Sequence, residues 1–146
     1  MAYQGQQNFD HRQAQKLGVL ITNLGTPDAP ETGALRRYLR EFLSDPRVVE
    51  VPRLIWFFIL HLVILVIRPP RSAHAYKSVW TEAGSPLMVH TQAQCAGIRE
   101  RLQNKFGDDI DVRFAMRYGN PSITSQLQAM EEAGVRKLVV LPLYPQ

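Results

Sequence analysis

The sequence has one cysteine, Cys95, so it can build neither an intrachain disulfide framework nor a multi-cysteine zinc site. A lone thiol fits a reducing compartment. Its four histidines, His11, His61, His74 and His90, form no H-x-x-x-H or H-E-x-x-H pattern. None stands at metal-ligand spacing from the cysteine, so each reads as structural or solvated. No nucleophile elbow, no G-x-G-x-x-G and no P-loop lysine are present. The longest apolar run, Leu54–Ile67, falls short of the ~20 residues that a hydrocarbon core requires. Internal repeats are absent, and the only biased segment is a Gln-rich, polar stretch over residues 1–15. That stretch reads as a flexible N-terminal extension and not as a secretory signal. Apolar residues make up 45% and charged residues 21%. Both values are ordinary for a folded soluble domain, and they exclude a disordered tail, a collagen-like fibre and a polytopic membrane protein.

What charge there is sits in one place. The net charge is +4 over 146 residues. Between positions 47 and 77 lie five basic residues, Arg47, Arg53, Arg68, Arg71 and Lys77, against one acid, Glu50. Everywhere else, twelve basic and twelve acidic residues cancel. The excess therefore borders the apolar run. A nucleic-acid binder spreads Lys and Arg among polar neighbours, so no nucleic-acid partner is expected. Basic residues beside greasy surface suit a partner that is both apolar and anionic.

Periodicity predicts an α/β domain. Residues 16–23 form a short apolar run of the kind buried on both faces of a parallel sheet, broken by Gly25, Thr26 and Pro27. Over 32–43, Leu35, Tyr38, Leu39 and Phe42 recur at helical spacing, and Ser44-Asp45-Pro46 stops the helix. The run Leu54–Ile67 predicts a helix about 21 Å long at 1.5 Å per residue, too short to cross a membrane. Pro69 and Pro70 are expected to end it, with a separate short helix over 73–80. A long helix follows over 86–106, with Leu87, Ile98, Leu102 and Phe106 turned inward. Next come a strand over 110–116, a helix over 122–133 and a buried strand over 137–143. The order strand, helices, strand, helix, strand implies a three-layer, doubly wound, Rossmann-like parallel sheet.

In such sheets ligands bind beyond the carboxyl ends of the strands. Two segments fall there. One is Asn23-Leu24-Gly25-Thr26-Pro27. The other is Arg117-Tyr118-Gly119-Asn120-Pro121, where Arg brings a planar fork of donors and Tyr a flat face with a hydroxyl. The run Leu54–Ile67 admits three readings: a core helix, an interfacial membrane contact, or the wall of an apolar ligand site. A surface helix should be amphipathic, and this one has no polar face. By residue chemistry alone the chain is an α/β domain that meets something greasy and anionic.

Five segments, in order and at matching spacing, resemble the ferrochelatase family. They are Leu20-Ile21-Thr22-Asn23-Leu24-Gly25-Thr26-Pro27, Tyr38-Leu39-Arg40-Glu41-Phe42-Leu43-Ser44-Asp45-Pro46-Arg47-Val48, Gly84-Ser85-Pro86-Leu87, Ala115-Met116-Arg117-Tyr118-Gly119-Asn120-Pro121-Ser122 and Leu141-Pro142-Leu143-Tyr144-Pro145-Gln146. The resemblance covers 16–146 and the N-terminal half of such an enzyme. It implies a metal-chelating lyase of haem biosynthesis that inserts ferrous iron into a porphyrin, protoporphyrin IX, held between two similar domains. Residues 16–146 would form the first of these. The porphyrin's apolar ring and carboxylate tails suit a greasy run edged by arginines.

Carried over by position, Leu24 would lie against the macrocycle. Arg68, Arg71 and Ser85 would lie near the propionates, and Arg117 and Tyr118 would line the metal side. Residues 47–76 would form an apolar lip that also touches membrane through Leu54–Ile67, in a cytoplasmic protein. The histidine and glutamate of the reaction would lie past residue 146, so the chain alone is expected to hold no catalytic residue and no cofactor, with ferrous iron a substrate. Two other readings remain at this point: a non-catalytic half-domain that docks on a membrane or partner, and a cobalt or nickel tetrapyrrole chelatase.

Overall fold

A computed structural model of the protein describes residues 16–144. The extension read over residues 1–15 lies outside the described residues. Three strands, β1 (Lys16–Thr26), β2 (Ile110–Gly119) and β3 (Val135–Pro142), form one parallel sheet in the order β2-β1-β3. Between β1 and β2 run α1 (Thr32–Ser44), α2 (Arg53–Phe58), a π-helical segment (Ile59–Ile64), α3 (Leu65–Val79) and α4 (Pro86–Phe106). Helix α5 (Ile123–Glu132) connects β2 to β3.

The alternation of β1 sorts its side chains onto two faces. Val19 and Ile21 pack with Ile110, Val112 and Cys95, the last from α4. Leu20 packs with Ala115, Val135 and Met130 of α5. Helices thus cover both faces of the sheet, which is the three-layer arrangement predicted. Ser85 caps α4 by accepting the Met88 backbone N–H, and Ser122 caps α5 by accepting that of Ser125.

Several boundaries differ from the sequence reading. Strand β1 does not break at Gly25 and Thr26; both pair with β2, opposite Tyr118 and Gly119. Gly25 has φ +124, and a Cβ there would run into the Tyr118 carbonyl, so glycine is what lets the strand continue. Phe106 is exposed instead of turned inward, and Lys105 Nζ lies 5.3 Å from its ring centre. Strand β3 begins at Val135, and it is not buried: Leu138, Val139, Val140 and Leu141 are each at least 40% exposed. Among the described residues it stands at the edge of the sheet, and α5 covers only its start, at Val135.

The largest correction concerns the prolines. Pro69 and Pro70 do not end the helix, and no separate short helix follows. Helix runs without a break from Arg53 to Val79, 27 residues, with both prolines inside α3. Pro69 has no N–H to give the Leu65 carbonyl, the acceptor one turn back. Arg36 Nε, from α1, donates to that carbonyl at 3.0 Å. A side chain from a neighbouring helix therefore replaces the missing backbone bond. By length and composition alone the 27-residue rod passes for a membrane-crossing helix, while the uncharged run within it is still Leu54–Ile67.

One side of the rod is packed and the other is not. Leu60 and Leu65 pack on Leu39 and Leu43 of α1, with Trp56 beside them. The Trp56 indole N–H donates to the Leu43 carbonyl at 2.7 Å, satisfying a carbonyl at the end of α1. Opposite, Leu54 is 73% and Leu62 68% exposed, and Phe57, Phe58, Val66 and Ile67 are exposed with them. Core burial alone does not account for this rod.

Candidate functional site

The carboxyl ends of β1 and β2 meet the C-terminal end of α1 in a polar cluster. Asp45, just past α1, is its centre. Its Oδ2 accepts from Arg117 Nη2 at 2.7 Å and from the Tyr118 hydroxyl at 3.0 Å. Its Oδ1 accepts the backbone N–H of Arg47 at 2.9 Å, closing a turn of the Asx type. The Asp45 side chain keeps 10% of its exposure and that of Arg117 36%. Phe42 presents its ring to Tyr118 edge-on at 5.0 Å, and the Arg117 guanidinium stands 5.1 Å from the Tyr118 ring centre.

The charges follow from these contacts. The Arg47 backbone N–H holds the Asp45 carboxyl below its ordinary range, with the Tyr118 hydroxyl and the Arg117 and Arg47 guanidiniums adding to the effect. Burial, then the hydrogen bond to Asp45, pushes the Tyr118 phenol up. Tyr38 donates to the Gly25 carbonyl at 3.1 Å, and burial with the nearby Tyr76 raises its phenol to about 12. Beneath, the Asn23 side-chain amide donates from Nδ2 to the Thr91 hydroxyl at 3.0 Å and accepts the Leu24 N–H at Oδ1 at 2.8 Å. The Leu24 side chain is left 38% exposed beside this fixed backbone.

Two cavities hold other residues singled out in the sequence. One, of about 570 Å³, lies between Thr26, Trp80, Ser85, Met88, Phe114 and Asn120. The other, of about 520 Å³, is an open groove on α3 lined by Val63, Ile64, Ile67, Arg68, Arg71 and Ala75. The structure therefore brings Arg117 and Tyr118 together at one carboxylate and Arg68 and Arg71 together on one apolar groove. It does not bring Ser85 into that groove. Ser85 is 2% exposed, accepts the Thr26 hydroxyl at 2.8 Å and caps α4. Among the described residues no three His, Cys, Asp or Glu side chains gather to hold a metal.

Sequence reasoning missed Asp45 as a site residue and took it only as part of a helix stop. Its position two residues before Arg47 signals the Asx-type turn. Nothing in the sequence signals a contact with residues more than seventy positions away.

Fold and cluster define a parallel α/β domain with a polar cluster at its strand ends and an apolar, arginine-edged rod packed on α1. The ferrochelatase family model matches residues 16–146, and the chain belongs to that family. Over all 146 residues it is 77% identical to a ferrochelatase of Alcanivorax borkumensis, 66% to one of Pseudoalteromonas atlantica and 62% to one of Idiomarina loihiensis. It covers 43%, 41% and 40% of those proteins, so the chain spans about two fifths of the length of the curated relatives it matches.

Proposed function

We propose that the chain is the N-terminal portion of a ferrochelatase that inserts ferrous iron into protoporphyrin IX to make haem. The observation that carries this reading is the rod packed on α1: exposed apolar side chains, with Arg68 and Arg71 on one groove. A porphyrin offers an apolar face to such a wall and two propionates to such arginines. Leu24 supports the macrocycle from the end of β1. Arg117 and Tyr118 face the side from which the metal arrives. Ser85 acts by fixing the end of β1 through Thr26 and the start of α4. The two pyrrole protons leave to a histidine and a glutamate in a second, similar domain that follows the matched residues. The outer side of the rod, Leu54–Ile67, rests on the cytoplasmic face of a membrane.

The test is a chimera in which this chain replaces the matching segment of the Alcanivorax borkumensis ferrochelatase. It is expected to form haem from ferrous iron and protoporphyrin IX, and Arg117→Ala is expected to lower the rate at least about tenfold, as for loss of one positioned charge. The 146-residue chain alone is expected to form none. A folded chimera that makes no haem, or that loads cobalt or nickel but not iron, overturns the reading. So does an isolated chain as fast as the chimera.

A further inference from the structure

We propose that Asp45 is a positioning residue: its single oxygen Oδ2 joins the Arg117 guanidinium and the Tyr118 hydroxyl, so that the two work as one rigid unit at the end of β2. This role rests on the reading above, in which Arg117 and Tyr118 face the iron path.

The geometry carries it. Each of the three residues comes from a different constraint. Tyr118 is 6% exposed and pinned by the Phe42 edge, so its ring cannot turn. Asp45 is fixed by the Arg47 backbone N–H on its other oxygen. Arg117 alone is mobile in principle, with a long side chain that reaches over the Tyr118 ring. Its bond to Oδ2 at 2.7 Å joins it to the carboxylate, and a further side-chain contact joins it to Tyr118. The carboxylate thereby fixes where the guanidinium stands, with about a third of the side chain left exposed. Without the carboxylate the guanidinium would sample many rotamers at a considerable entropic cost per ordered state. Asp45 does not need to touch substrate for this effect. It neutralises and orients Arg117 at the end of β2, with the more exposed Arg47 guanidinium 4.0 Å from the same oxygen.

The experiment uses the chimera with Asp45→Asn, Arg117→Ala and both together. Iron and porphyrin are varied separately. Asp45→Asn keeps the shape and the turn but removes the charge. It is expected to lower kcat/KM for iron between about tenfold and a hundredfold, the penalty for a misplaced group. Porphyrin affinity, read by fluorescence quenching, is expected to stay within about twofold. In the double variant the loss should equal that of Arg117→Ala alone, because the carboxylate acts through the guanidinium. Asp45→Glu, which keeps the charge and moves it by one methylene, should fall between wild type and Asn, and it serves where the Asn variant does not fold. Losses that multiply in the double variant overturn the proposal, as does a folded Asp45→Asn chimera with unchanged kcat/KM for iron. An unsubstituted chimera without activity overturns the functional reading and this role with it. An active chimera indifferent to Asp45 overturns only the role.

Discussion

Removing Arg36 should unsatisfy a carbonyl that only a proline has left open. In an α-helix the N–H of residue 69 would donate to the Leu65 carbonyl. Pro69 has none, and Arg36 Nε fills the place at 3.0 Å. Leu65 is 5% exposed but the bond itself is only partly buried, with Arg36 reaching in from the surface, so the lower end of the penalty applies. Arg36→Ala is therefore expected to cost about 1 kcal/mol, the lower end for a buried polar group without a partner. For a chain of this size that is a fall in Tm of roughly 2–4 °C per kcal/mol. Pro69→Ala returns an N–H to the helix while removing a buried ring. A cycle separates the two effects. In the Pro69→Ala background, Arg36→Ala should cost about 1 kcal/mol less than in wild type, because the carbonyl then has a backbone donor. Urea unfolding of the four proteins, followed by circular dichroism, reads the coupling directly. Arg40→Ala, an exposed arginine of the same helix, serves as control and should change stability by less than about 0.5 kcal/mol. If Arg36→Ala costs the same in both backgrounds, the arginine does not replace the missing bond.

Two further outcomes follow from the rod and the tyrosines. Flotation with phosphatidylglycerol vesicles should carry the chain, and Leu62→Asp should weaken binding at least about tenfold, since a buried Leu contributes about 1.5–3 kcal/mol; unchanged flotation of that variant would refute docking through the outer side of the rod. In alkaline titration, the absorbance difference between wild type and Tyr38→Phe should show a phenol ionising near 12. Because the folded value lies above the ordinary 10.0, the neutral phenol favours the fold fully below pH ~10, and that contribution is lost as pH rises through the folded value. A Tyr38 transition near 10 would mean the ring is not buried as described.

The elements were legible where one physical signal dominated. Helix α4 was expected over 86–106, and it occupies Pro86–Phe106. Its start is written in Gly84-Ser85-Pro86: a turn, a cap and a proline at the first position. The sequence puts Arg117 and Tyr118 just past a strand over 110–116, whereas β2 runs on to Gly119 and contains both. What failed did so because the deciding partner was distant in sequence. Two prolines in a row are a sound helix stop unless another helix supplies the lost donor, and Arg36 is not visible as that donor from α3. Apolar β3 reads as buried on both faces, because composition reports what a strand tolerates and not what covers it. Gly25 and Thr26 read as a turn, yet Gly25 keeps the strand paired at a positive φ. Asp45 carried only a local turn signal, while its other oxygen does the long-range work.

The rod's mixed exposure has its own cause in the backbone. Leu60 and Leu65, five residues apart, are both buried against α1. At 3.6 residues per turn, about 100° each, an α-helix would set them roughly 140° apart, and they could not share a face. The π-helical segment between Ile59 and Ile64, with hydrogen bonds from i to i+5, turns less per residue and brings them closer to one side. Beyond it, Ile64, Ile67, Arg68, Arg71 and Ala75 fall at the three- and four-residue spacing of an ordinary helical face, and they line one groove. The π turn thus lets an all-apolar helix spend a narrow stripe on the core and keep the rest free. A hydropathy pattern with no polar face cannot reveal that division, because both sides are apolar; only the change of helical period does. Straightening the segment by deleting one residue within Ile59–Ile64 would rotate α3 against α1, turning the groove that holds Arg68 and Arg71 to another side and withdrawing the Leu65 carbonyl from Arg36.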